Sequence, residues 1–373
     1  MSNERYFPGL EGVIAGETAI STVEGGLTYR GYSIENLAGK ASFLEVAFLL
    51  LHDDLPSQEE LADFQSVLSE SDDVDPSILE FLAEIPLHVP AMDVLRTGVS
   101  ALAHFDPQLN DDGVEANRAK AIRLLARIPV LIGARHRGAH GLPLVTPNPE
   151  LSFSGNLLYL ITGKEPSPAH EQAMDVSLTL YAEHEFNAST FTARVVTSTM
   201  SDIYSAITAA IGALKGPLHG GANERVIEVL GEVPSPQVAE EWVRDALAKK
   251  RRIMGFGHRV YKNGDPRAVI LREYCQKLAE ESGSTELEQI ADTIESHVRA
   301  EKGLPPNLDW PSARLYHYMG LPVELYTPLF VASRVVGWAA HVIEQAENNR
   351  LIRPRSNYTG PKERQFAPLR ERG

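Results

Sequence analysis

The stretch SFLEVAFLLLH, residues 42–52, begins with a serine, places a glutamate three residues later and continues as an apolar run. A hydroxyl at the N-cap and a carboxylate three residues on satisfy orphan backbone donors reciprocally, so the stretch predicts a helix over 43–52. Outward from it, Ser57-x-x-Glu60 and Thr285-x-x-Glu288 repeat the device. Ser167-Pro168, Ser235-Pro236 and Asp265-Pro266 each set a capping residue before a proline at the first helical position. Segments 91–105, 114–134, 167–185, 191–212, 235–250, 266–282, 285–301 and 322–347 also read as helices, and period-two alternation is scarce. The expected class is all-α.

A chain of 373 residues exceeds the size at which one core stops growing, which predicts either two domains or one large domain with a smaller lobe. With 43% apolar and 23% charged residues the composition is that of a globular protein rather than a disordered one. The opening MSNERYFPGLEGVIAGET shows no basic segment followed by an apolar run and no membrane span, so a cytoplasmic location is expected. The single cysteine, Cys275, excludes an intrachain disulfide and a CxxC motif, and is expected to be inert core.

A formal charge of −15 argues against nucleic-acid or membrane partners, because anionic surfaces would repel the chain. Between Arg244 and Arg272, however, nine Lys or Arg face two Asp, and from Arg350 onward seven face two acidic residues. Cations concentrated in an acidic chain point to pockets for small polyanions.

Pro- and Gly-rich breaks fall at 141–149, 163–168, 215–221, 231–236, 255–266 and 303–311, and three of them hold a histidine or aspartate. His219, in KGPLHGGANE, is expected at a helix N-terminus. There it is either a neutral hydrogen-bond donor to a carbonyl gaining charge or a histidine that satisfies the turn. The segment GFGHRVYKNGDPRA combines flexible backbone, His258 and three cations. Arg267 falls in the first turn of a helix capped by Asp265, a favourable place for a carboxylate. Asp309, among apolar residues in PPNLDWPS, is either a base with a raised pKa or a helix cap. His184-Glu185 lacks the second histidine of a zinc motif, and His136 and His140 are read as parts of a helix-terminal loop, so no metal is expected.

Taken together, GPLHGGANE at 216–224, GFGHRVYKNGDPRA at 255–268 and PNLDWPSA at 306–313 resemble, in this order, three active-site segments of the citrate synthase family. AEHEFNASTF at 182–191, SRVVGWAAHVIEQ at 333–345, IRPRSNYTG at 352–360, and GLEGVIAGETAIS with LTYRGYSIENLA near the start resemble further family segments, so the likeness spans nearly the whole chain.

The resemblance implies a multi-helical homodimer. Its large lobe takes in 1–215 and 320–373, and its small lobe, 216–319, carries the catalytic loops. It implies that acetyl-CoA and oxaloacetate are condensed to citrate without a cofactor, a step of the tricarboxylic acid cycle. His219 would hold the thioester, Asp309 would remove a methyl proton and His258 would polarise the ketone. Arg267, Arg334, Arg353 and His184 would bind oxaloacetate, with Arg353 given across the dimer. Gly255, Gly257, Arg259, Lys262 and Asn307 would contact CoA. Many relatives carry an aromatic-aromatic-Ser-Gly run after the aspartate. Here Trp310-Pro311-Ser312-Ala313 stands, which leaves open a 2-methylcitrate synthase using propionyl-CoA. A non-catalytic helical binding protein is the alternative of another class, and the trio Asp309, His219 and His258 argues against it.

Overall fold

The computed structural model describes residues 6–372, so residues 1–5 and 373 of the expected large lobe lie outside the described residues. Sixteen α-helices and one small sheet make up the described fold, which is the all-α class expected. The sheet pairs β1 (Ser21–Thr22), β2 (Thr28–Tyr29) and β3 (Tyr32–Ser33) antiparallel, with Ser21 opposite Tyr29 and Thr28 opposite Ser33.

The first helices are α1 (Ile34–Leu37), α2 (Phe43–His52), α3 (Gln58–Ser69), α4 (Pro76–Glu84), α5 (Ala91–Leu102) and α6 (Val114–Ala139). Both halves of the capping box form at Ser42–Glu45 and at Ser57–Glu60. Helix α6 runs beyond the expected 134 and through Gly138, so His136 lies in its last turn and His140 is its C-cap rather than part of a loop. Helix α7 (Phe153–Thr162), capped by Ser152, and α4, capped by Asp75, stand where no helix was read.

Helix α8 (Pro168–Tyr181) ends four residues before the expected 185, and the turn after it places Glu185 at φ +51°. The segment 191–212, read as one helix, is two. Helix α9 (Ala188–Thr197) is capped by Asn187 and α10 (Ile203–Leu214) by Asp202. Between them Met200 takes φ +66°, which ends any continuous helix.

The remaining helices are α11 (Ala222–Gly231), α12 (Pro236–Ala248), α13 (Pro266–Ser282), α14 (Glu286–Lys302), α15 (Asp309–Tyr318) and α16 (Tyr326–Glu347). Helix α16 is buried along nearly its whole length and packs against α2, α6, α8, α9 and α10. An apolar all-round helix of this kind is stable only inside a bundle, and α16 is the rod around which the bundle is built. Helices α12 and α14 pack together, as do α13 with α15 and α11 with α15.

Thr285 does not cap α14, and the expected capping box fails for a tertiary reason. Glu288 turns its carboxylate inward to the buried Arg314, with Oε1 accepting from Nε at 2.7 Å and Oε2 from Nη2 at 3.2 Å. Ser235 likewise makes no side-chain cap. Cys275 is buried and donates to the Pro311 carbonyl at 3.0 Å, and burial pushes its thiol up to about 12, in keeping with inert core. No described helix is long and apolar enough to cross a membrane.

Arg314 tethers α15, whose first residue is Asp309, so its partner is a test of that anchorage. Glu288→Ala strands a buried guanidinium and is expected to destabilise the fold by about 3–5 kcal/mol in denaturant titration.

Candidate active site

Residues 255–257 and 305–307 meet as a short antiparallel bridge. The Gly257 N–H donates to the Pro305 carbonyl at 2.8 Å, and the Asn307 N–H donates to the Gly255 carbonyl at 2.9 Å. Asn307 Nδ2 adds a bond to the Gly257 carbonyl at 2.9 Å. A glycine is required at 255, where φ is +89° and a Cβ would stand 2.9 Å from both Trp310 Cε3 and Val226 Cγ2. Asp265 ties the same two segments together. Its Oδ2 accepts from the Leu308 N–H at 3.2 Å, while Oδ1 and Oδ2 hold Arg267 Nε and Nη2 at 3.0 and 2.8 Å.

These bonds occupy the Gly257 N–H, the carbonyls of Gly255 and Gly257 and the Asn307 amide, all of them groups expected to face CoA. Arg259 and Lys262 are exposed on the loop that follows.

Asp309 opens α15, but its carboxylate does not cap that helix. Asn307 Oδ1 accepts from the Asp309 N–H at 3.1 Å instead, which frees the carboxylate to accept from the Tyr181 hydroxyl at 2.9 Å. Tyr181 Oη also shares a bond of 2.7 Å with Ser312 Oγ. Burial pushes the Asp309 carboxyl up to about 6, against the lowering pull of the Tyr181 hydrogen bond and the Arg267 charge.

His258 lies beside His184, ring centroids 5.2 Å apart, and stacks on Tyr261 at 4.7 Å. His258 Nδ1 accepts from the N–H groups of Val260 and Tyr261 at 3.1 and 3.3 Å, so a neutral ring carries its proton on Nε2. Burial, then the Arg267 charge, lowers this imidazole to about 4. The buried His184, with Nε2 3.0 Å from the Tyr261 hydroxyl, is held well below the ordinary range by burial and by Arg267.

His219 sits in the turn before α11 rather than on it. The helix N-terminus it meets is that of α9. His219 Nε2 accepts from the Ser189 N–H at 3.3 Å and lies 2.8 Å from Ser189 Oγ, which leaves the proton of a neutral ring on Nδ1. Burial and the Arg334 charge lower it to about 4.

Arg334 is buried on α16, where Nε donates to the Tyr181 carbonyl at 2.6 Å. Its Nη1 is buried without a hydrogen-bond partner, and burial lowers the guanidinium to about 10. Phe330, one turn earlier, is the hub between segments. Its ring lies 4.4 Å from Tyr181, 6.2 Å from His219 and 4.8 Å from the Arg334 guanidinium.

The structure thus gathers His184, His219, His258, Arg267, Asp309 and Arg334. Arg353 stays outside, exposed in the irregular tail beyond α16, where the Ile352 N–H bonds Ser198 Oγ at 3.0 Å. Tyr181, Ser189, Tyr261 and Phe330 had not been singled out from the sequence. Only Phe330, four residues before Arg334 on one helix face, carried a periodic signal. Among the described residues no trio of metal-ligating side chains forms in this cluster.

Residues 9–355 match the family described as citrate synthase, C-terminal domain. Citrate synthase 2 of Bacillus subtilis is 47% identical over 98% of each chain. A 2-methylcitrate synthase of Mycobacterium tuberculosis is 45% identical over 95% of this chain and 91% of its own. The solved ternary complex of Thermoplasma acidophilum citrate synthase with carboxymethyl coenzyme A and oxaloacetate superposes with a TM-score of 0.92. It is 36% identical and covers 98% of this chain and 99% of that one.

Asp309 binds its proton more tightly folded than unfolded. Its contribution to stability is therefore present below its ordinary value of 3.8 and lost as pH rises through about 6. Asp309→Asn is expected to stabilise the fold above pH 6 by about 1–2 kcal/mol, less than the full shift implies because the residue keeps some contact with solvent. Tyr181→Phe removes a donor that favours the charged form and is expected to move the carboxyl titration higher still. Stability measured against pH reads both effects.

Proposed function

The chain belongs to the citrate synthase family of acyl-transferring, carbon-condensing enzymes, and on that premise we propose that it joins acetyl-CoA to oxaloacetate and water, giving citrate and CoA. The observation that carries this reading is a carboxyl raised to about 6 set near two imidazoles kept neutral and turned by backbone donors.

Each imidazole accepts on one nitrogen, so its N–H aims elsewhere. In this proposal His219 Nδ1–H holds the thioester oxygen while Asp309 takes a methyl proton, and the enol forms without a free carbanion. His258 Nε2–H polarises the oxaloacetate ketone, and the enol carbon attacks the ketone carbon, whose oxygen takes up a proton. Water then cleaves the thioester and releases CoA. Arg267, Arg334 and His184 receive the oxaloacetate carboxylates. The unpartnered Arg334 Nη1 supports this, because a buried guanidinium nitrogen without an acceptor is costly until an anion arrives.

The proposal includes a small lobe of 216–319 closing on a large lobe of 1–215 and 320–373, which would exclude water while the enol exists. Arg353 would complete the site of the opposite subunit in a homodimer. Its position outside its own chain's cluster and its irregular tail support that role. Propionyl-CoA is the second candidate substrate, favoured by Ala313 in the segment after Asp309 and by similar identity to relatives named for either activity. One methylene changes pocket binding by about 1–3 kcal/mol, so the two acyl groups are expected to differ by ratio rather than exclusion.

Thiol release from acetyl-CoA is expected only with oxaloacetate present and is expected to persist in a chelator. Steady-state comparison with propionyl-CoA ranks the substrates. Turnover efficiency should fall as pH drops below about 6, where Asp309 gains its proton. Asp309→Asn should lose about 10²-fold or more in kcat while retaining oxaloacetate binding; near-normal turnover would remove the proposed base. Mixing Asp309→Ala with Arg353→Ala under subunit exchange should restore about a quarter of wild-type activity, since each mixed dimer keeps one intact site. Demonstrated exchange without recovery refutes the shared site.

A further inference from the structure

The last turn of α6 and the turn that leads into α16 bring together three side chains that the proposed reaction does not use. His136 and His140, four residues apart, share one face at the end of α6, with ring centroids 4.5 Å apart. Glu324 faces them from the short turn Val323–Leu325. One nitrogen of each imidazole and one carboxylate oxygen all lie within 4.8 Å of one another.

Three further features belong to a ligand set rather than to a chance cluster. First, His136 Nδ1 is buried and has no hydrogen-bond partner, although Glu324 Oε1 stands 3.8 Å away. That separation is too long for a hydrogen bond. It is close to the roughly 3.4 Å that separates two ligand atoms about 2.1 Å from a tetrahedral metal. Second, His140 Nδ1 lies 2.8 Å from the His136 carbonyl, which can only accept. The proton is therefore on Nδ1 and the lone pair on Nε2, the arrangement by which a backbone carbonyl orients a metal-ligating imidazole. Third, the carbonyl end of α6 adds negative potential, which favours a cation.

We propose that His136, His140 and Glu324 form a binding site for one divalent cation of the zinc class per chain. Two imidazoles and a single carboxylate select zinc, cobalt or nickel over magnesium and calcium, which demand oxygen-rich shells. Three protein ligands leave a fourth position for water. His140 and Glu324 are exposed enough to close the remaining distance by side-chain rotation.

The site is separate from the acid–base cluster but adjoins its frame. Just beyond Glu324, the Tyr326 carbonyl accepts from Asn223 Nδ2 at 3.3 Å, and the Thr327 hydroxyl bonds the Glu224 carboxylate. A cation that clamps the end of α6 to this turn would stiffen the joint between α16 and the segment following His219.

The test uses metal-stripped wild-type protein, titrated with Zn²⁺ against a chromophoric competitor and with Co²⁺ followed by visible absorption. One ion per chain and a tetrahedral cobalt spectrum are expected, with Tm rising as zinc is added. Glu324→Gln and His140→Gln should each weaken binding at least about tenfold, a loss of the size that even second-sphere changes produce, and should cancel the Tm rise. Neither residue belongs to the proposed catalytic machinery, so turnover should stay at the wild-type level. The proposal is overturned if wild-type protein binds zinc no tighter than His136→Gln/His140→Gln. It is overturned equally if both single variants keep wild-type affinity, because the ion would then sit elsewhere.

Discussion

Two loops nearly fifty residues apart are joined by a bridge of a few backbone hydrogen bonds, and much of the candidate site's geometry depends on it. The pairing of 255–257 with 305–307 fixes the chain just before His258 and just before Asp309. Asp265 adds a second tie, since one carboxylate accepts from the Leu308 N–H and grips Arg267 with both oxygens. The positive φ at Gly255 and the close approach of Trp310 make this junction intolerant of a side chain. A histidine and an arginine of one segment and a carboxylate of another thus share one rigid frame.

Electrostatics then act on that frame in opposing directions. The chain is acidic overall, yet its candidate site buries two guanidiniums, Arg267 and Arg334. Their fields and the loss of water act together on His184, His219 and His258 and keep all three neutral. On Asp309 the effects oppose each other. Burial favours the neutral acid, while Arg267 and Tyr181 favour the anion, and burial wins. The outcome is a carboxyl that is ionised at neutral pH and more basic than an exposed one, in a cluster whose imidazoles carry no charge.

Helix α16 links the scaffold to the chemistry. Its buried length carries Phe330 and Arg334 on one face, and through them it touches Tyr181 and His219. Further along, His341 Nε2 lies 2.9 Å from Glu183 Oε1, and Arg194 reaches both His341 and Glu344. These buried polar contacts fix the register of α8, α9 and α16 where apolar packing alone would allow sliding, and unmatched partners would be costly.

Read alone, the sequence determined the all-α class, because apolar periodicity and caps are local properties. Ser42–Glu45, Ser57–Glu60 and Asp265–Arg267 formed as their spacing requires. It also marked six of the side chains that converge: His219, His258, Arg267 and Asp309 through loop motifs whose residue types suit carboxylate and carbonyl chemistry, and His184 and Arg334 through resemblance to family segments. It misplaced what depends on distant partners. Glu288 left its capping box for Arg314, 191–212 broke at Met200, and His219 met the helix end of α9 rather than that of α11. Tyr181 and Phe330 gave no motif, since their importance lies in what they touch across 128 residues or in an aromatic packing pattern. Tautomers, pKa directions and the gathering of His136, His140 and Glu324 were likewise decided only by tertiary structure. Each depends on burial and on distances between atoms far apart in the chain, and local sequence encodes neither.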